Sequence, residues 1–341
     1  MFTHHLVPDG STRSCTIELG MNAALRPRIG LLLGDPSGIG PEIVAKLLAS
    51  PAPSESAEIL IVGDRSIYER GLEVAGVASA SPSFHPCFDG PLHYPPAQAS
   101  AAAGAYTLAS LRSGVELLQN RRIDAMVYGP LNKQALKLAG MPQEDELHYF
   151  ASLLGFAGPV SEINVCDGLW TSRVTSHVPL AAVAGLITMD KIESAVALLH
   201  QALLRGATQA PRIAVAALNP HAGEGGLLGS EEMDIIEPAI HNLRATGIDI
   251  TGPLPADTIF IAARRGHYNG VVTMYHDQGQ IALKLLGFER GVTIAGGLPF
   301  PIATPAHGTA FDITGQGVAH VTALAAAFSI ACNMAIRSRS R

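Results

Sequence analysis

The chain has 341 residues and a formal net charge of -6 with its histidines neutral, a length that suits two domains or one large one. Apolar residues make up 48% of the chain and charged residues 15%, a balance typical of compact α/β enzymes and not of disordered chains. There is no long run of Lys or Arg, which argues against a nucleic acid or an anionic membrane surface as partner. We therefore expect a small-molecule partner.

The cysteines and the termini indicate where the protein works. The longest apolar stretches, such as Val321 to Ala331, are shorter than the roughly 20 residues that cross a bilayer. Residues 1–27 lack the apolar core of a signal peptide and are predicted to be a flexible extension. No C-x-x-C spacing of a disulfide or zinc framework joins the four cysteines, Cys15, Cys87, Cys166 and Cys332. These features predict a cytoplasmic protein.

The first element is a buried-strand pattern at Arg28 to Leu33, which runs into the glycine-rich turn Gly34 to Glu42 and the helical pattern Ile43 to Ala49. Gly38 and Gly40 allow the backbone to approach a ligand closely. Proline at the first turn of a helix costs no hydrogen bond, and Pro41 has that position here. This part of the chain is predicted to be strand, ligand-binding turn and helix.

Strand and helix patterns alternate through the rest of the chain. Further strands are predicted at Ile59 to Gly63, Ala125 to Tyr128, Arg212 to Leu218 and Gly270 to Met274. Further helices are predicted at Ala99 to Asn120, Asp145 to Leu154, Met189 to Arg205 and Ser230 to Thr246, with a loop or edge region over residues 75–96. This alternation predicts an α/β fold with a mostly parallel sheet. Changes of character near residues 129–130 and 287–291 suggest two lobes, formed by 28–130 with 288–341 and by 131–287.

Three histidines lie in segments that read as loops leaving buried strands. They are His177 in Thr-Ser-His-Val-Pro, His221 in Asn-Pro-His-Ala-Gly-Glu, and His276 in Met-Tyr-His-Asp-Gln. Ligand sites in open α/β sheets form beyond the carboxyl ends of strands. A single loop histidine is usually an ordinary surface residue, but three in matching contexts predict a metal site. Imidazole ligands favour zinc, with cobalt, manganese and magnesium as alternatives.

A second glycine-rich segment, Pro305 to Ala319, precedes an alanine-rich helix. Its glycines at 308, 315 and 317 allow the loop to wrap a flat ligand, with His307 able to stack and Asp312 able to accept hydrogen bonds from hydroxyls. The alternative is a plain connection without a ligand. No G-x-G-x-x-G lies between a strand and a helix, so a dinucleotide site here would not be of the Rossmann type.

These segments carry a family resemblance. The Gly34 to Glu42 and His307 to Ala319 stretches resemble the signature loops of isocitrate and isopropylmalate type decarboxylating dehydrogenases. The chain from about Arg28 to its end resembles more fully the 4-hydroxythreonine-4-phosphate dehydrogenase (PdxA) family. The matching motifs are Gly129 to Lys133, Ser176-His177, Leu218 to Gly226, Gly252 to Thr258, Met274 to Gly279, Lys284 and the C-terminal loop.

The resemblance implies a homodimer of two-lobed α/β/α subunits, with residues 131–287 as the lobe for metal, substrate and dimerisation. It implies a divalent metal held by His177, His221 and His276, one of them from the neighbouring subunit. It also implies that NAD is held by the C-terminal loop, at His307, Gly308, Thr309, Ala310, Asp312, Gly315 and Gly317. NADP instead of NAD stays open, because no residue can be tied to the ribose 2′ position.

The resemblance further implies oxidation of a secondary hydroxyl of a hydroxy acid, followed by decarboxylation. A metal lowers the pKa of the hydroxyl it chelates, and a cation stabilises the enolate left by loss of CO₂. Lys284 matches the substrate-binding lysine and would supply that cation. Asp257 and Asp277 are candidates for proton handling and Asn219 for substrate contact. Glu224 lies in a matched motif too, and helix capping or packing is the alternative role for each carboxylate.

The chain departs from the family pattern where the phosphate of the substrate is held. The family's substrate-contacting His and Thr correspond to Glu146 and Leu147, its Asn to Thr293 and its Arg to Ile302, which removes a bidentate partner for phosphate or carboxylate. Acidic residues at 144–146 would repel a dianion, although Asp145 fits a helix cap. The substrate alternatives are a cyclic cis-dihydrodiol carboxylate of the terephthalate kind and a four-carbon sugar-acid phosphate. A zinc hydrolase and a non-catalytic homologue are the alternatives of another class.

Overall fold

The apolar segments predicted as buried strands lie in one eleven-stranded sheet of the computed structural model, which describes residues 26–78, 82–90, 93–206 and 208–339. The predicted N-terminal extension lies, up to residue 25, outside the described residues, as does Cys15. The three cysteines within them carry unpaired thiols. None of the described helices has the length and apolar character needed to cross a bilayer.

The sheet is mostly parallel, with its antiparallel pairs in the middle. Its order is β3-β2-β1-β4-β11-β10-β5-β6-β9-β7-β8. β10 runs against both neighbours and β5 runs against β6, while the other adjacent strands are parallel. The strands are β1 (Arg28–Leu32), β2 (Glu58–Val62), β3 (Ser83–His85), β4 (Ala125–Tyr128), β5 (Ser161–Cys166), β6 (Leu169–Arg173), β7 (Arg212–Ala216), β8 (Asp249–Leu254), β9 (Gly270–Thr273), β10 (Val292–Gly296) and β11 (Ile302–Pro305).

Helices cover both faces of this sheet. α1, α8 and α12 share one apolar cluster with the strands, whereas α4, α6, α10 and α11 pack on the opposite face. The helices are α1 (Gly40–Leu48), α2 (Ala52–Ser56), α3 (Arg65–Ala75), α4 (Ala101–Gln119), α5 (Lys133–Leu138), α6 (Glu146–Leu154), α7 (Val183–Leu186), α8 (Met189–Arg205), α9 (Glu237–Ala245), α10 (Ala256–Arg264), α11 (His276–Gly287) and α12 (Thr322–Arg339).

The predicted α/β class with a mostly parallel sheet is confirmed, and the predicted strands and helices form within a few residues of their expected ends. The predicted helix over residues 230–246 begins with a π-helical turn, Glu232–Ile236, before α9. The loop or edge region at 75–96 contains the edge strand β3. The division into two lobes stays a prediction.

A close helix contact places the motif Gly129 to Lys133 beside the sheet. α4 crosses α5 at Gly104, where an added Cβ would lie 2.0 Å from the Ala135 carbonyl oxygen. Glycine is therefore required at this position, although alanine favours helices in general. α5 begins at Lys133, directly after Asn132, whose side-chain oxygen caps the helix by accepting a hydrogen bond from the Ala135 N–H at 2.9 Å.

We expect Gly104→Ala to lower the free energy of unfolding by about 1–3 kcal/mol through overpacking, measured by urea denaturation. Gly185→Ala is the matched control, since no atom lies within 4 Å of a Cβ added there. Equal midpoints for the two variants would contradict this account of the contact.

Candidate active site

The three candidate histidines follow three neighbouring parallel strands, β6, β9 and β7. The ring centroids of His177 and His276 lie 5.5 Å apart with their planes at 44°. His177 and His221 are exposed, and the side chain of His276 is about one-third exposed. The sheet topology therefore groups these residues at one end of the strands, as the sequence pattern predicted for such segments.

The pair of His177 and His276 fits a metal such as zinc. Two imidazoles bound to one tetrahedral ion at about 2.1 Å have ring centroids roughly 5 Å apart, close to the observed separation. His276 Nδ1 lies 2.7 Å from the Asp277 carboxylate, an arrangement that orients a ligating ring and leaves Nε2 for the ion. His221 does not join them in a group of three whose ligand atoms lie within 4.8 Å of one another in the described part of one chain.

Glu144, Asp145 and His148 do form such a group, but helix capping explains its centre. Asp145 is the N-cap of α6, and its Oδ1 accepts a hydrogen bond from the His148 backbone N–H at 2.8 Å. The same oxygen lies 2.7 Å from His148 Nδ1. The capping interpretation of Asp145 is confirmed.

His221 lies in a left-handed turn. Five consecutive residues, His221 to Gly225, have φ between 47° and 80°. Three of them are not glycine, and left-handed backbone costs such residues roughly 1 kcal/mol each. The turn therefore needs an anchor from outside.

Glu232 is that anchor. Its side chain is buried, and Oε1 accepts hydrogen bonds from the backbone N–H groups of Leu218 at 2.9 Å and Asn219 at 2.7 Å. The Asn219 amide donates to Glu232 Oε2 at 2.9 Å and to Glu231 at 2.7 Å. Asn219 thus holds the turn in shape. Sequence reasoning missed Glu232, whose only signal was a carboxylate at the start of a predicted helix.

The other acidic candidates surround the same turn. Glu224 belongs to it and is exposed. Asp257 is exposed in the first turn of α10, and α10 packs against the His221 turn. The roles of both carboxylates stay predictions.

A buried guanidinium lies beside the histidine-bearing turn. Arg173, at the end of β6, forms an ion pair with Glu162 of β5. Its Nη1 donates to the Asn164 side-chain oxygen at 2.9 Å, and its Nε donates to Ser176 Oγ at 2.9 Å. Arg173 therefore connects the strand floor to the turn that carries His177.

Asn164 extends this network to the next strand and to α11. Its amide donates to Thr293 Oγ1 at 3.0 Å, and its oxygen accepts from Gln280 Nε2 at 2.7 Å. Thr293 pairs in register with both Asn164 and Thr304. Lys284, exposed on α11, lines a cavity of about 40 Å³ together with Asn164 and Gln280. The middle of the sheet thus carries a network of polar side chains, here called the polar floor: Glu162, Asn164, Arg173, Gln280 and Thr293.

The positions that depart from the family pattern border this floor. Leu147 and Ile302 are buried in one apolar cluster, while Thr293 is half-buried. Glu146, in the first turn of α6, is half-buried as well. Burial raises the pKa of the Glu146 carboxyl, the Lys133 ammonium lowers it, and the charges of Asp145 and Glu162 raise it.

The two glycine-rich segments pack into one unit at the ends of β1 and β11. The Ile39 N–H donates to the Thr309 carbonyl at 3.1 Å, and a Cβ on Gly38 would lie 2.8 Å from Thr309 Cβ. The Glu42 carboxylate accepts from the Ala319 N–H at 2.8 Å, and Lys46 Nζ donates to the Ala319 carbonyl at 2.8 Å. α1 therefore holds the far end of the C-terminal loop, and the turn before α1 contacts Thr309.

Within the C-terminal loop, Ala310, Gly315 and Gly317 have left-handed backbone, with φ of 45°, 80° and 71°. Asp312 is exposed, and His307 Nδ1 lies 3.1 Å from the Gly308 carbonyl. The loop thus has the open, sharply turned backbone expected of a segment that wraps a ligand.

Asp35 in the first glycine-rich turn was not among the predicted site residues. It is buried, and one carboxylate oxygen accepts from the Ser37 N–H at 2.8 Å. The other oxygen and the Ser37 hydroxyl have no hydrogen-bond partner among the described residues. Burial raises the pKa of Asp35 to about 6, partly offset by the Ser37 hydrogen bond. Such unsatisfied buried groups concentrate at functional sites.

The family model and the similar proteins agree on one family for this chain. The family model described as "Pyridoxal phosphate biosynthetic protein PdxA" matches residues 55–331. A Pseudomonas aeruginosa protein with the provisional name 4-hydroxythreonine-4-phosphate dehydrogenase 2 is 50% identical over 92% of this chain and 98% of its own. A Symbiobacterium thermophilum protein with the provisional name D-threonate 4-phosphate dehydrogenase is 38% identical over 92% of this chain and 98% of its own.

Solved structures agree with these relatives. The crystal structure of 4-hydroxythreonine-4-phosphate dehydrogenase from Klebsiella pneumoniae superposes with a TM-score of 0.78 at 36% identity, over 92% of this chain and 99% of that one. The structure of a terephthalate 1,2-cis-dihydrodiol dehydrogenase from Burkholderia xenovorans superposes with a TM-score of 0.64 at 28% identity, over 88% and 95%.

Asp35→Asn is expected to stabilise the fold in a pH-dependent way. Because the pKa of Asp35 is raised to about 6 from 3.8, ionisation penalises the folded state above pH 6, and the penalty disappears as pH falls toward 3.8. The variant should gain about 3 kcal/mol at pH 8 and roughly half of that at pH 5, measured by urea unfolding. Asp234→Asn, at an exposed carboxylate, is the control. A gain that is the same at both pH values would count against this account.

Glu232→Ala should loosen the His221 turn, because three hydrogen bonds to a buried carboxylate are lost. Amide hydrogen exchange at Leu218 and Asn219 should accelerate at least about tenfold. Glu237→Ala, at an exposed position on α9, should leave these rates unchanged. Unaltered protection in Glu232→Ala would show that the turn is held by other contacts.

Proposed function

The chain belongs to the PdxA family, and from this premise we propose that it is a metal-dependent, NAD-linked dehydrogenase that oxidises a secondary hydroxyl of a hydroxy acid. Its dehydrogenase relatives support the coarser statement, an oxidoreductase acting on a CH–OH group. The observation that carries the finer proposal is the placement of His177 and His276, 5.5 Å apart, on the turns beside the polar floor.

The chain's own residues suit this chemistry. Asp277 accepts from His276 Nδ1 and so orients the ring toward a metal. A divalent ion bound there, zinc by the donor type, would lower the pKa of a chelated hydroxyl. Lys284 provides an ammonium group near Asn164 that pairs with the substrate carboxylate and stabilises negative charge if CO₂ is lost.

The glycine-rich unit suits a nicotinamide dinucleotide. The C-terminal loop from His307 to Gly317 has open, left-handed turns, and α1 holds its far end through Glu42 and Lys46. A zinc hydrolase would have no use for this arrangement. The packed loops thus support a dehydrogenase over that alternative.

A second copy of the chain completes the proposed metal site. Large apolar side chains are exposed next to the histidines: Val178 and Leu180 after His177, Leu227 after the His221 turn, and Ile281 and Leu285 on α11. Exposed apolar patches of this kind mark protein interfaces. A homodimer interface here would bury them and bring a histidine of one subunit to the pair of the other.

We expect His276→Ala to lower turnover at least about 100-fold, because a metal ligand is lost. The measurement is the rate of NADH formation by metal-stripped protein titrated with zinc. The substrates are D-threonate and 4-hydroxythreonine, each tested with and without the 4-phosphate. His241→Ala, an exposed histidine on α9, is the matched control and should turn over like the parent protein. Full zinc-stimulated activity in His276→Ala would refute the proposed metal site.

A further inference from the structure

The polar floor has few hydrogen-bond donors left for a second anionic group. Arg173 contributes a guanidinium to this floor, and its Nε, Nη1 and Nη2 each donate one hydrogen bond to protein acceptors, Ser176, Asn164 and Glu162. Three of its five N–H groups are thus engaged within the protein. Its side chain is 6% exposed. Bidentate binding of a phosphate needs two N–H groups that point to the ligand, and the near-complete burial of this side chain leaves little of the guanidinium for that contact.

The adjoining wall is apolar where it meets the floor. Ile302 pairs in register with Met126 and is 1% exposed. Leu147 on α6 is 7% exposed and packs in the same apolar cluster. These two side chains can neither donate a hydrogen bond nor offset charge, so this corner provides no contact for phosphate oxygens.

The charged side chains around the polar floor leave little net positive charge for a second anionic group on the substrate. The cations are Lys133, Arg173 and Lys284, and two carboxylates lie among them. Glu162 pairs with Arg173, and Glu146 lies close enough to Lys133 and Glu162 for their charges to shift its pKa. A phosphorylated hydroxy acid carries nearly three negative charges at neutral pH, whereas the unphosphorylated acid carries one. The ester therefore needs cations at its remote end besides those that hold its carboxylate, and Glu146 and Glu162 offset the cations of this floor.

The groups that remain on the floor and wall accept hydrogen bonds. Glu146 is half-buried at the start of α6 and offers carboxylate oxygens. The Thr293 hydroxyl already accepts from Asn164 and has its own proton and a second lone pair for a ligand. These oxygen atoms can form hydrogen bonds with substrate hydroxyl groups, which both donate and accept hydrogen bonds.

We propose that the end of the substrate remote from the oxidised carbon is uncharged and bears hydroxyl groups, so that the enzyme acts on an unphosphorylated hydroxy acid, with Glu146 as the specificity-determining residue. This inference rests on the proposed function. The inferred substrate differs from those in the names of the similar Pseudomonas aeruginosa and Symbiobacterium thermophilum proteins, which specify 4-phosphates.

The test is titration calorimetry on the dimer loaded with zinc and NAD. The ligands are D-threonate and D-threonate 4-phosphate, 4-hydroxythreonine and its 4-phosphate, and a cyclic cis-dihydrodiol carboxylate. At least one unphosphorylated acid should bind about tenfold or more tightly than any phosphate ester. Glu146→Gln should lower the ratio of the dissociation constant of the ester to that of the unphosphorylated acid at least about fivefold, because a carboxylate that repels the ester is replaced by a neutral amide. Glu116→Gln, the same charge change at an exposed position on α4, should leave that ratio unchanged.

The outcomes separate this inference from the proposed function. Tighter binding of a phosphate ester by the parent protein, with NADH formed from it, would overturn the inference and leave the dehydrogenase proposal standing. An unchanged ratio in Glu146→Gln would overturn the role of Glu146. Binding and oxidation of none of these acids would overturn the proposed function and the inference with it.

Discussion

One buried guanidinium ties the parts of the candidate site together. Arg173 ends β6, reaches across to Glu162 and Asn164 on β5, and donates to Ser176 in the turn of His177. Through Asn164 the same network reaches α11, whose first residue is His276. Loss of one partner from a buried ion pair costs about 3–5 kcal/mol. The separation of the two histidine rings therefore depends on this network.

The network links the antiparallel strands in the middle of the otherwise parallel sheet. β10 and β5 contribute Thr293 and Asn164 as a hydrogen-bonded pair in register. Arg173 of β6 and Thr304 of β11 continue these polar positions onto the flanking strands. The glycine-rich unit at β1 and β11 and the histidine turns at β6, β9 and β7 are thus joined by a rigid, hydrogen-bonded floor. Such preorganisation keeps catalytic groups in place without a cost at the moment of reaction.

The sequence predicted the parts of the fold that depend on local pattern. The apolar strands such as Gly270–Thr273 and the capped helix after Asp145 form as expected. Burial and helix capping can be predicted from the pattern of a few neighbouring residues. The floor was not predicted. Glu162 and Asn164 alternate with apolar residues in β5, a pattern that is equally typical of a solvent-facing strand side. Arg173 follows the polar residues Thr171 and Ser172 at the end of β6.

The missed residues acquire their roles through contacts between distant segments. The Asn164 bond to Thr293 spans 129 positions in the chain, and no local signal records it. Glu232 holds the backbone of Leu218 and Asn219 in the same way. The glycines after His221 hinted at a sharp turn, but the run of left-handed residues depends on this buried carboxylate. The assembly of all three histidines on one metal stays a prediction, because it requires a second chain.

The most direct test of the central claim is anomalous X-ray scattering at the zinc absorption edge from crystals of the zinc-loaded protein. The account predicts one strong peak per chain between the rings of His177 and His276, with a His221 ring as the third ligand across a dimer interface. A peak at Glu144, Asp145 and His148, with no density between the two rings, would contradict it.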